Sequence, residues 1–108
     1  MSEEIAMHFF QNKSKWVLSS WRRKIFDIEV DLLFKKGDHD LLAVEVKSLS
    51  SSLMDYPRLS SNQVNRLIKA QAALQSGDID SVAVSVCFVE YEKKIPRQLW
   101  FRSLTDFI

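Results

Sequence analysis

The sequence predicts a single α+β domain in which one mixed, mostly antiparallel sheet is flanked by helices, with elements in the order αβββαββ. Three observations carry this. Residues 28–34 and 41–47 are apolar runs rich in Val, Leu and Ile, and Lys36-Gly37-Asp38-His39-Asp40 between them has the composition of a hairpin loop. Apolar residues recur at helical spacing after Ser2 and again after Ser60. At 108 residues the chain can build one core and is too short for two ordinary domains.

Ser2 is placed to cap a first helix whose opening turn carries Glu3 and Glu4 and whose apolar stripe is Ile5, Ala6, Phe9 and Phe10, ending near Asn12. Trp16 to Trp21 reads as a strand, with both tryptophans expected in the core and base stacking the alternative for an exposed one, followed by a basic turn at Arg22-Arg23-Lys24. The two central strands come next. From Ser48 to Ser61 the chain is Ser-rich, and Pro57 bars a helix, so this is a loop beside the second strand of the hairpin. Ser60 and Gln63 have capping-box spacing and open a second helix with Val64, Leu67, Ile68, Gln71 and Leu74 on one stripe, closed by Gly77. Ser81 to Glu90 is an apolar run expected to form a strand buried on both faces, and Gln98 to Arg102 an edge strand after Pro96.

Composition narrows the function classes. A net charge of +1 neither supports nor excludes nucleic acid, because local patches decide. Cys87 is the sole cysteine and lies in an apolar run, which rules out an internal disulfide and a cysteine-based metal site and points to an inert buried thiol. The acidic N-terminus and the lack of any apolar run near 18 residues lead us to expect neither signal peptide nor membrane anchor, and a cytoplasmic location. With only two glycines there is no phosphate-cradling Gly-rich loop, which argues against an NTPase. His8 and His39 have no partner at metal-ligand or triad spacing and read as surface or packing residues.

The hairpin strands carry charges among apolar residues. Alternation puts Glu29 and Asp31 on one face of the first strand and Glu45 and Lys47 on one face of the second. A register symmetric about Asp38 sets Asp31 opposite Glu45 and Glu29 opposite Lys47, with opposed α-carbons about 4.5 to 5.5 Å apart. An ordinary solvated sheet face competes with a functional reading. Two features favour function: opposed carboxylates repel unless a cation sits between them, and the apolar neighbours suggest that both faces are covered, where an unpaired charge is costly.

With Ile28-Glu29-Val30-Asp31-Leu32 followed by Val44-Glu45-Val46-Lys47, and with Glu3 to Ala6 in the first helix and Asn62-Gln63 opening the second, the chain resembles the PD-(D/E)XK nuclease superfamily. Within it the chain is most similar to the YraN-like family of small restriction-endonuclease-like proteins, related to archaeal Holliday-junction resolvases. The resemblance covers nearly the whole chain. It departs at Ile28, where that family has Gly, at Asn62, where it has Lys, and after Lys47, where its usual Gly is missing.

The resemblance implies a restriction-endonuclease-like core and a metal-dependent nuclease acting on DNA of branched or unusual structure. Asp31, Glu45 and the backbone carbonyl of Val46 would hold Mg²⁺ or Mn²⁺, which prefer oxygen ligands, and Lys47 would orient the attacking water. Glu29 would bind a second ion or pair with Lys47. Glu3 would reach the metal or serve the helix dipole, and Gln63 would contact phosphate or complete the capping box. Arg58, Arg66 and Lys69 would hold the DNA backbone if they flank the site. A homodimer would suit such a role. The alternatives are a nucleic-acid-binding module that does not cut, or a protein-interaction domain with an exposed apolar surface around Trp100 and Phe101.

Overall fold

A computed structural model describes residues 2–13, 15–25, 28–50, 59–75 and 79–107. Pro57, Arg58 and Gly77 lie outside the described residues, so the expectations placed on them do too. The elements are α1 (Ser2–Lys13), β1 (Val17–Ile25), β2 (Ile28–Lys36), β3 (Asp40–Ser50), α2 (Ser61–Leu74), β4 (Ser81–Glu92), β5 (Ile95–Ser103) and a closing 3₁₀ turn, Leu104–Phe107. The five strands form one sheet in the order β1-β2-β3-β4-β5. Neighbours run antiparallel except β3 and β4, which are parallel because α2 carries the chain between them.

Alternation along the central strands builds two cores. Leu32, Phe34, Leu42, Val44, Cys87 and Val89 face α1 around the buried Ala6, whereas Leu33, Ala43, Val84, Val86 and Phe88 face α2 through Leu67 and Ala70. Phe34 and Phe88 are wholly inaccessible to solvent, and burying each contributes about 1.5 to 3 kcal/mol. This is the α+β arrangement that the sequence predicts. In β4 the expected burial on both faces holds for Val86 to Val89, while Ser81 and Ala83 are exposed.

The edges are where expectation and structure differ. β1 runs straight through Arg22, Arg23 and Lys24 instead of turning there, and Trp21 is 43% exposed instead of core. Trp16 packs against the α1-side core as expected. Ser2 belongs to the helix, and its hydroxyl bonds the Ser48 hydroxyl at 2.5 Å and the Tyr91 hydroxyl at 2.6 Å, tying the start of α1 to β3 and β4. In the α1 stripe, Phe9 is partly exposed and stacks on Phe101 with centroids 4.8 Å apart; the Phe10 side chain lies outside what is described. Trp100 and Phe101 are half-buried, one on each core. The edge strand β5 starts three residues earlier than expected, and Pro96 is tolerated in it because it lies at the sheet margin.

Candidate active site

The β2–β3 register is the predicted one: Leu32 pairs with Val44, Leu33 with Ala43, and so on to Lys36 with Asp40, symmetric about Asp38. Gly37 at φ +64° makes the turn, a conformation that a side chain disfavours. The described ladder begins at Leu32↔Val44, so Asp31 and Glu45 are the next rung, where regular pairing has stopped. There the Asp31 side chain does the bonding, its Oδ2 accepting the Val46 amide N–H at 2.8 Å. Strict alternation fails at the same point, since Val30 and Leu33, three residues apart, share the α2-side core.

Glu45 follows Ala43 on the face covered by α2, and its side chain is only 11% exposed. Burial pushes its carboxyl up to about 8, helped by a hydrogen bond with Asp31 and by the Asp31 charge; Arg66 and Lys47 pull the other way without prevailing. Burial and the neighbouring Asp31 thus disfavour a charge on Glu45. Arg66, on α2, reaches Glu45 with Nη2 3.7 Å from Oε2, a long and exposed contact. Lys47 is half-buried on the same face as Glu45. The sequence thus brings together Asp31, Glu45, Val46, Lys47 and Arg66.

Other expected participants stand elsewhere. Glu3 accepts the Trp21 indole N–H at 2.6 Å and the Arg22 Nε–H at 2.9 Å. Burial raises its carboxyl, but those two bonds and the Arg22 charge together outweigh burial and leave it below the usual range. Glu29 is exposed, and its ladder partner is Lys24 on β1, not Lys47 on β3. Gln63 completes the capping box: its Oε1 accepts the Ser60 N–H at 2.9 Å, and its own N–H donates to Ser60 Oγ at 3.2 Å. Lys69 is exposed on α2 three residues beyond Arg66, on the neighbouring helix surface. Arg58 lies outside the described residues.

Among the described residues no group of three or more His, Cys, Asp or Glu comes together, so the acidic part of the site is a pair. His39 serves the backbone, its carbonyl accepting the Asp80 N–H at 2.7 Å. Cys87 is buried, its thiol pushed up to about 12, consistent with an inert role. Sequence reasoning passed over Arg22, which it assigned to a turn. No residue pattern announces that a strand continues through three consecutive cations, and only the fold places Arg22 beside Glu3 and Asp31. No helix among the described residues is long and apolar enough to cross a membrane. The chain matches no protein-family model, and no curated protein matches it significantly.

Proposed function

We propose that the protein is a metal-dependent nuclease of restriction-endonuclease-like fold that hydrolyses phosphodiester bonds in DNA. The observation that carries this reading is the half-buried Asp31–Glu45 carboxyl pair at the rung where β2 and β3 stop pairing, with Lys47 on the same face. Burial and Asp31 disfavour a charge on Glu45, a cost that a cation between the two carboxyls would offset, and oxygen donors of this kind suit Mg²⁺ or Mn²⁺. Asp31, Glu45 and the Val46 carbonyl would hold it, with water completing the shell.

When bound, the cation supplies Lewis-acid stabilisation of charge on the phosphate and acidifies water. The chain's own residues do the rest. The Val46 N–H fixes the Asp31 carboxylate, so one oxygen is held in the plane of the sheet. Lys47 Nζ orients the attacking water and adds positive charge beside the developing oxyanion. Arg66, whose bond to Glu45 is long, is free in reach to grip a phosphate at the same face, and Lys69 extends that grip along α2. Gln63 serves α2 through its cap, and Glu3 serves the junction of α1 with β1, so neither is assigned to the chemistry.

The test is cleavage of single-stranded, duplex and junction DNA in Mg²⁺ or Mn²⁺ against a chelator control. Wild type is expected to cut in metal only, and Asp31→Asn, Glu45→Gln and Lys47→Ala each to lower the rate by at least about a hundredfold. If the wild type cuts none of these, the catalytic reading fails. Salt-sensitive DNA binding that survives metal removal and all three substitutions would then identify a non-cutting binding module on this fold.

A further inference from the structure

We infer that Trp21 and Arg22 form a stacking platform for an unpaired base of the nucleic acid, next to the Asp31–Glu45 rung. The inference rests on the nucleic-acid part of the reading above and adds a substrate feature to it.

Trp21 lies on the edge strand β1 with 43% of its surface exposed, although its neighbours on β2 are wholly buried. Its polar end is already satisfied, because the indole N–H donates to Glu3 Oε1 at 2.6 Å. That bond holds the ring on the surface instead of letting it fold into the core. Arg22 adopts φ +52°, which a non-glycine residue rarely does and which costs energy that the surroundings must offset. The distortion has a visible result. Successive strand residues normally point to opposite faces, yet Trp21 and Arg22 both donate to the same Glu3 oxygen. The guanidinium lies 5.9 Å from the Trp21 ring centroid, within the range of a cation–π contact.

This pair lies on the strand beside Asp31, with its side chains bonded to Glu3 of α1, while Glu45 meets Arg66 of α2. Trp21 pairs with Leu32 and Arg23 with Val30, so Arg22 falls on the rung of Asp31, one strand spacing of about 4.8 Å away. The Arg22 charge interacts with both Asp31 and Glu29. A flat aromatic ring, an exposed cation and a charged rim complement an unpaired base together with its own phosphate: the base stacks on the indole, and the phosphate meets the guanidinium. Stacking on an aromatic side chain tolerates any base but requires that it be unpaired. A paired duplex cannot offer such a face at its side, whereas a junction, flap or single strand can. Glu3 acts as the positioning residue that keeps ring and guanidinium together.

The experiment is fluorescence anisotropy with labelled DNA of matched length, in three forms: fully paired, carrying one unpaired base at a flap or junction, and the same with that base replaced by an abasic residue. In Ca²⁺, wild type should prefer the unpaired base over the abasic form by roughly tenfold, the scale of one base–aromatic stack. Trp21→Ala should erase this preference, Trp21→Phe should keep most of it, and thermal melting should show both variants folded. Equal affinity of wild type for the unpaired and abasic forms overturns the platform whatever the variants do. So does a preference that survives in folded Trp21→Ala. The nuclease reading stands or falls separately: metal-dependent cutting without any abasic penalty retains the nuclease and removes the platform, whereas an abasic penalty without cutting retains the platform on a binding module.

Discussion

The β2–β3 hairpin carries charged residues at both ends, and the two ends behave differently. At the turn, Lys36 is paired with Asp40, opposite charges face each other, and residues 35–39 are exposed. At the open end, Asp31 and Glu45 are two carboxyls on one rung, partly buried, and the Val46 N–H there is taken by a side chain. The first arrangement is what water and strand pairing alone would select. The second costs folding energy once Glu45 is charged. Charge content does not separate the two ends; burial and the sign of the opposed partner do.

The largest effect that would sharpen this contrast is a pH dependence confined to the open end. Glu45 has a folded-state pKa raised to about 8, so its contribution to stability is complete below the ordinary carboxylate range and is lost as pH rises through about 8. The apoprotein should therefore weaken between about pH 4.5 and 8, by an amount on the order of a few kcal/mol. Glu45→Gln keeps the uncharged state at every pH and should flatten the profile. Urea unfolding across that range in a chelator checks it. A wild-type profile as flat as that of the Gln variant would remove the distinction between the two ends. Adding Mn²⁺ at pH 8 should restore stability to wild type and not to the variant, since a cation takes the proton's place only where a carboxylate can receive it.

A second, smaller effect concerns Asp31 itself. Asp31→Ala leaves the Val46 N–H without its acceptor in a half-buried position and should cost about 1 to 3 kcal/mol. Asp31→Asn still presents an amide oxygen to that N–H and should cost clearly less, while losing the charge needed for a cation. Denaturant midpoints of the two variants give the structural share, and Mn²⁺ titration by calorimetry gives the functional share. Equal losses for Ala and Asn would mean that the Val46 bond does not hold the rung.

How far the sequence revealed all this depends on the kind of signal. The hairpin register was legible because its turn residues and alternation agree, and the Ser60–Gln63 cap was legible because it is a local hydrogen-bonding rule. The Asp31–Glu45 encounter followed from the register. What was hidden depends on contacts between distant elements or on strained backbone. Ser2 looked like a cap, but its hydroxyl is taken by Ser48 and Tyr91, which only the docking of α1 brings near. β4 turns into β5 through Lys93 and Lys94 at φ +51° and +67°, positions that Gly or Asn usually fill, so no turn residue marked the hairpin. Arg22, at φ +52°, hid the continuation of β1 in the same way.

The smallest effects belong to the turn end, and they test the other half of the comparison. Gly37 sits at φ +64° with nothing within 4 Å of where a Cβ would be, so Gly37→Ala meets backbone strain but no clash and should cost about 1 kcal/mol. Asp38 is exposed in the turn, and Asp38→Asn should change stability by less than about 0.5 kcal/mol. Neither substitution should alter the pH profile or Mn²⁺ binding, because the regular ladder from Lys36↔Asp40 to Leu32↔Val44 separates the turn from the carboxyl pair. Thermal melting and Mn²⁺ titration of both variants check this. A change in metal binding in either would show that the turn sets the geometry of Asp31 and Glu45 through the strands, and the two ends would then have to be treated as one coupled unit.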